Sequence, residues 1–230
     1  MTEKTKTTTE TLTRARLQGA DLTIGYDGRV VSAHLDVEIP AGSFTVVVGP
    51  NACGKSTLLR ALARLLRPTT GQVLLDGRAI SDLPTKEIAR RLGLLPQTSL
   101  APDGIRVSDL VARGRHPHQT ILRQWSHTDQ AAVAAALAAT GTTELAGRLV
   151  DELSGGQRQR VWVAMLLAQE SPTMLLDEPT AHSGTTRGVP ACGSGITEQA
   201  SPKTSSTRSA VTIVDGSPEA TISPSRIMIM

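Results

Sequence analysis

The chain has 230 residues, with 24 Lys plus Arg against 21 Asp plus Glu and a net charge of +3, a balance too weak to make nucleic acid a main partner. It is long enough for a sizeable core, and with Tyr26, Phe44, Trp125 and Trp162 as its only aromatic residues that core must be Leu, Val, Ile and Ala. Cys53 and Cys192 have no metal-ligand spacing and make no disulfide framework, which points to a reducing, cytosolic compartment, and no apolar run has the length of a membrane span or the form of a signal peptide.

Residues 1–16 have the composition of a disordered tail. From Ala20 the pattern turns strand-like, Leu22, Ile24 and Tyr26 alternating with Asp21, Thr23 and Gly25. Asp27-Gly28 signals a tight turn into a second strand region over 30–39, so the first two strands predict an antiparallel lobe. Pro40-Ala41-Gly42 turns the chain again, and Phe44-Thr45-Val46-Val47-Val48 reads as an apolar strand.

Gly49-Pro50-Asn51-Ala52-Cys53-Gly54-Lys55-Ser56-Thr57 follows that strand and precedes Leu58, Leu59, Ala61, Leu62, Leu65 and Leu66 at helical spacing. The form G-x-x-x-x-G-K-[ST] between strand and helix is a phosphate-binding loop. Its glycines let backbone N–H groups turn inward around phosphates, and the helix start adds unpaired N–H groups and a positive dipole end. Lys55 supplies a point charge for the β- and γ-phosphates, Ser56 a hydroxyl for Mg²⁺, and Cys53 a small filler.

Pro68 and Gly71 end the helix that follows. Residues 72–75, the turn Asp76-Gly77 and 78–80 read as a hairpin, 81–91 as a short helix, and 92–95 as a buried strand ending at Pro96-Gln97. Roughly 100–153 reads as a mainly helical insertion. It holds a short helix over 107–113 with Ser108 as N-cap, a turn-rich 114–119, and an Ala-rich helix over 130–139 introduced by Ser126-x-x-Asp129. His116 and His118, two apart across Pro117, read as loop histidines rather than a metal site. Trp125 and Trp162 read as core or interface packing.

Leu153-Ser154-Gly155-Gly156-Gln157 opens a helix to about Gln169, with Val161, Ala164, Leu167 and Ala168 on one face. Residues 173–176 are an apolar strand ending in Asp177-Glu178. Downstream of a phosphate loop, such a pair is the second half of a nucleoside-triphosphatase site. Asp177 is suited to hold Mg²⁺ and Glu178 to orient or activate attacking water.

Four motifs in this order resemble one family. Leu153-Ser154-Gly155-Gly156-Gln157 is similar to the signature of ABC ATPases, 49–57 to their Walker A, 175–178 to Walker B, and Gln97 to the Q-loop glutamine. The resemblance covers roughly 17–182. It implies an α/β P-loop NTPase fold with an N-terminal antiparallel β lobe and a helical subdomain, binding ATP and Mg²⁺. It implies nucleotide binding by Tyr26, stacked on adenine, and by Gly49, Pro50, Asn51, Ala52, Cys53, Gly54, Lys55, Ser56 and Thr57. Mg²⁺ falls to Ser56, Gln97 and Asp177, and catalysis to Glu178, Gln97 and Lys55. Ser154, Gly155, Gly156 and Gln157 are implied to contact the γ-phosphate of ATP on the other protomer, two ATPs lying between head-to-tail subunits. A helix start at Ser-Gly-Gly is an anion site on physical grounds too.

Gly114-Arg115-His116-Pro117-His118 and Asp177-Glu178-Pro179-Thr180-Ala181-His182 resemble the importer ATPases that serve iron–siderophore, haem and vitamin B12 uptake. The implied partners are transmembrane permease subunits, a second ATPase subunit and, indirectly, a substrate-binding protein, with no nucleic acid. The implied location is peripheral, on the cytoplasmic face of the cell membrane.

The pattern breaks after His182. Residues 1–182 contain 26 leucines and 183–230 none, and 25 of those last 48 residues are Ser, Thr, Gly or Pro, with no histidine or aromatic residue. That composition reads as loop or disorder, and its abruptness as a frameshifted end in which the C-terminal part of the core is missing or replaced. Ser183-Gly184 stands where the family keeps its D-loop, and no later strand ending in a switch histidine is recognisable. The missing strand belongs between the phosphate-loop strand and the Asp177 strand, which are expected to lose a ladder partner. Ala210-Val211-Thr212-Ile213-Val214 offers a strand for that slot, with Asp215 in the histidine's place.

Three functions stay open on these grounds. One is the ATP-hydrolysing subunit of an ABC importer for iron–siderophore uptake. Another is a nucleotide-binding protein with little or no turnover, which the tail favours. A third is a soluble ABC ATPase outside transport, which the 114–118 segment disfavours.

Overall fold

The computed structural model describes residues 15–50, 52–97, 100–120, 125–177, 212–216 and 226–229. β1 (Ala15–Tyr26) and β2 (Arg29–Pro40) form the antiparallel hairpin that the alternation predicts. β1 takes in Ala15 and Arg16, the last residues of the stretch whose composition is that of a tail. The order of this first sheet is β2-β1-β4-β5, with β4 (Thr70–Leu75) and β5 (Arg78–Ala79) making the second hairpin. Leu17, Leu22 and Ile24 of β1 are fully buried; the period of two holds on each side of an irregularity between Gly19 and Leu22, where Asp21 is left-handed at φ 48° and the inward parity changes.

The second sheet contains β3 (Phe44–Val48), β6 (Leu92–Leu95), β7 (Thr173–Leu176), β8 (Thr212–Gly216) and β9 (Arg226–Ile229), in the order β6-β7-β9-β3-β8. Its first four members in that order run parallel, and β8 is antiparallel at the edge. Two sequence expectations are corrected here. The run near 210–214 does form a strand, but it lies on the outer edge of β3 with Val46 opposite Val214. The slot between β3 and β7 is taken by β9, whose Met228 is paired with both Thr45 and Leu175. The reason is that two open parallel ladders face each other across this slot, and one parallel strand satisfies both. Asp215 sits opposite Thr45, at the end of β3 remote from the phosphate loop.

α1 (Lys55–Leu62) stops short of Leu65 and Leu66. Arg64 turns left-handed at φ 60°, and its guanidinium donates to the carbonyls of Ile80 and Leu83. α2 (Thr85–Arg91) starts later than expected because Pro84 stands at its N-cap, and Ile80–Asp82 forms a separate 3₁₀ turn. α3 (Val107–Ala112) has Arg106 at its N-cap, not Ser108. Its leading N–H groups, on Val107 and Ser108, donate instead to the carbonyls of Arg148 and Ala146, so no side-chain cap is needed. Residues 113–118 tighten into a 3₁₀ turn (Arg113–His118). α4 (His127–Ala139) carries the predicted capping box of Ser126 and Asp129, and α5 (Gly155–Ala168) one of Ser154 and Gln157.

The main core surrounds α1, where Leu58, Leu59 and Leu62 meet residues of the antiparallel lobe and Val47 and Leu175 of the parallel sheet. A second core joins α3, α4 and α5, and a third sets the other face of α5 on β6 and β7. Trp162 packs between the second and third, whereas Trp125 is about half exposed and not part of a core. No helix among the described residues is long and apolar enough to cross a membrane.

Candidate nucleotide-binding site

β3 delivers the chain to the phosphate loop. Thr45 and Val47 are buried, Val47 in the core around α1, which fixes where the loop begins. Cys53 N–H donates to Pro50 O at 3.3 Å, and the Cys53 thiol fills the space that a side chain at Gly49 would need. Gly54, at φ 97°, turns the loop into α1, a conformation glycine adopts without strain. α1 has no side-chain cap and no acidic residue in its first turn, so its leading N–H groups and dipole end are left for an anion. Asn51 lies outside the described residues.

Gly54, Lys55, Ser56 and Thr57 line a cleft of about 450 Å³ together with Val31, Ala52 and Gln97. Lys55 Nζ reaches back over the loop and donates to Gly49 O at 2.9 Å and Pro50 O at 3.0 Å. Ser56 Oγ donates to Asp177 Oδ1 at 2.8 Å, across 121 positions of sequence. Asp177 is 4 % exposed, and its N–H donates to Leu95 O at the end of β6. A buried carboxylate beside a hydroxyl, with the Gln97 amide lining the same cleft, is an all-oxygen donor set suited to Mg²⁺. Glu178, the expected water-orienting carboxylate, lies outside the described residues.

A second recess of about 570 Å³ shares Val31 and Ala52 with the first and is lined also by Tyr26, Asp27, Arg29 and Val30. Tyr26 is partly exposed there, and its Oη accepts from Arg60 Nη1 at 3.1 Å. An aromatic face beside a phosphate cleft is where a base can stack. Arg29, Val30, Val31 and Arg60 are contributors that the sequence reading missed. The alternation predicts β2 but not that its first residues stay uncovered.

Ser154, Gly155, Gly156 and Gln157 line neither recess. Ser154 and Gly155 are exposed, and Gln157 is engaged in the cap, its Oε1 accepting from Ser154 N–H at 3.0 Å. This helix start is thus at the surface and outside both recesses. The His118 ring lies 2.8 Å from Gln169 O, and no cluster of three or more potential metal ligands from His, Cys, Asp or Glu occurs among the described residues.

A family model described as ABC transporter matches residues 33–181. The ferric enterobactin transport ATP-binding protein of Escherichia coli strain K12 is 57% identical over 166 residues, covering 72% of this chain and 61% of that protein. The petrobactin import ATP-binding protein of Bacillus anthracis is 53% identical over 173 residues, covering 75% and 63%. The chain thus spans about three fifths of the length of these relatives. Among solved structures, an inward-facing ABC transporter described as of metal-chelate type matches with TM-score 0.60 and 31% identity, over 72% of this chain and 60% of that one. A nucleotide-free ATP-binding cassette from an ABC transporter matches in fold with TM-score 0.63 and 21% identity, over 73% and 70%.

Proposed function

This chain belongs to the ABC transporter family, and we propose on that premise that it is the ATP-binding and ATP-hydrolysing subunit of an importer for iron–siderophore complexes. The observation that carries this reading is the Ser56–Asp177 hydrogen bond, which joins the start of α1 to the residue that follows β7, with Ser56 lining the same cleft as Lys55 and Gln97. The siderophore assignment rests on the relatives, which are named for ferric enterobactin and petrobactin transport.

Lys55 and the α1 N–H groups neutralise the β- and γ-phosphates, which is the main demand of phosphoryl transfer. Ser56, Asp177 and Gln97 are the residues to hold Mg²⁺, which when bound adds charge stabilisation at the phosphate oxygens. Glu178 orients or activates water, and Tyr26 stacks on adenine. Ser154, Gly155 and Gly156 close on ATP held by a second subunit. The pair works on transmembrane permease subunits at the cytoplasmic face of the membrane, supplied by a substrate-binding protein.

A second reading, nucleotide binding with little turnover, is favoured by β9. The strand in the slot beside the phosphate loop is Arg226-Ile227-Met228-Ile229 and brings no imidazole.

Binding of a fluorescent ATP analogue and ATP turnover, measured on the chain and on Lys55→Ala and Glu178→Gln, test both readings. Lys55→Ala is expected to weaken binding at least about 10-fold, equivalent to roughly 1.4 kcal/mol. Glu178→Gln is expected to keep binding and to lose turnover by about 100-fold or more, roughly 2.7 kcal/mol of barrier. Binding without turnover in the unsubstituted chain selects the second reading, and no binding overturns both.

A further inference from the structure

The segment Gly114–His118 has no part in the nucleotide cleft, yet it holds the most deeply buried cation among the described residues. Arg115 is 3 % exposed. Its Nε donates to Asp129 Oδ1 at 2.9 Å, and its Nη1 to Ala168 O at 2.8 Å and to Glu170 Oε2 at 2.6 Å. Ala168 is the last residue of α5, where carbonyls lack helical partners and the dipole end is negative. His118 stands at the next carbonyl, of Gln169. A side chain at Gly114 would collide with the Met165 carbonyl, so only glycine lets this turn seat against the last turn of α5. Asp129 is held in turn by Ser126, whose N–H and Oγ donate to Asp129 Oδ2.

The same junction reaches the nucleotide side. Arg90 Nε of α2 donates to Pro117 O at 2.8 Å, and Gln169 Nε2 donates to Leu92 O at 3.3 Å. Leu92 opens β6, and two residues beyond the end of that strand stands Gln97 in the cleft. At the far end of α5, 14 residues and about 21 Å away, stand Ser154, Gly155 and Gly156. α5 is packed on both faces, so freeing its last turn loosens the packing that holds its first turn in place.

We propose that Arg115 is a positioning residue that pins the C-terminal end of α5 and thereby sets the orientation of the Ser154-Gly155-Gly156 helix start toward a second subunit's ATP. The proposal rests on the reading of that helix start as a phosphate contact in trans. It also assigns a physical role to the Gly114–His118 segment: a clamp that ties α2, β6, α4 and α5 at one point, joining the side that carries Gln97 to the side that carries Ser154.

Amide hydrogen exchange on the full chain, with fluorescent-ATP binding measured in parallel, tests this. In Arg115→Met, the amides of Gln157 and Arg158, which bond to Ser154, are expected to exchange at least about 10-fold faster, while α1 and β3 keep their protection and nucleotide affinity changes less than about 2-fold. Arg115→Lys, which keeps the charge without the fork, is expected to fall between. Faster exchange confined to 113–119 and 165–170 overturns the proposal, as does an equal loss across α1 and β3, which marks a purely structural role. Should Arg115→Met not fold, Glu170→Gln removes one outer contact and is read by the same amides, with about a 3-fold acceleration expected and none overturning the proposal. Absence of nucleotide binding in the unsubstituted chain overturns the nucleotide reading alone, since the exchange pattern at the far end of α5 still decides the clamp.

Discussion

Ala52 shows how much the phosphate loop depends on single residues. It lines both recesses and sits at φ 63°, a left-handed conformation that costs an L-residue roughly 1–2 kcal/mol. Such strain is held at binding sites by the structure around it. Ala52→Gly relieves the strain but loosens the unfolded chain, so a net gain of about 0.5–1 kcal/mol is expected, read as a melting temperature higher by about 1–4 °C. Asp129 gives the pH dependence. The Ser126 hydroxyl bonded to it, and then Arg115, hold its carboxyl below the ordinary value against the opposing effect of burial. The folded chain therefore binds this proton more weakly than the unfolded chain, and the carboxylate contributes stability that is full above the ordinary carboxylate range and is lost as the pH falls through its lower folded value. Asp129→Asn is expected to cost about 3 kcal/mol at neutral pH, because it leaves Arg115 buried with one acid fewer. It should also flatten the acid limb of the stability profile, which urea unfolding at stepped pH measures. The loop residues themselves were legible in sequence because Gly49, Gly54, Lys55 and Ser56 work through local backbone geometry. Arg115 was legible only as part of a family-like string, since its partners Asp129, Ala168 and Glu170 come from other elements.

At the scale of elements, the caps show which local signals survive folding. Ser126 and Asp129 form their box as read, because both partners lie within one turn. Ser108 does not cap α3, because carbonyls of Ala146 and Arg148, forty residues on, already take those N–H groups. α2 and α1 differ from expectation for separate reasons: the local Pro84 delays one, and Arg64, bonded to the more distant Ile80 and Leu83, turns the chain at the end of the other. Gly114→Ala tests the seating of the 3₁₀ turn on α5. The added methyl meets the Met165 carbonyl, and overpacking of this kind costs roughly 1–3 kcal/mol. The expected result is a lower urea midpoint with fluorescent-ATP binding retained, since the cleft is lined by Val31, the phosphate loop, the start of α1 and Gln97, and the added methyl meets none of them.

At the scale of the whole molecule, the parallel sheet is closed by β9. The composition of 183–230 argues for no core contribution, yet Arg226–Ile229 lies between β3 and β7 and pairs with both. Met228→Pro removes a backbone donor in the middle of that strand. The expected result is a lower unfolding midpoint and increased aggregation on heating, measured by light scattering, as two strand edges are opened. What the sequence determined by itself is the family, the antiparallel lobe, the phosphate loop and the capping box of α4, because these rest on periodicity, turn chemistry and residues close in the chain. Only the tertiary structure decided the order of the parallel sheet, the hydrogen bond from Ser56 to Asp177 across 121 positions, and the burial of Arg115 at the end of α5. Pairings of that kind depend on which distant groups meet in a low-dielectric interior, and no local pattern encodes them.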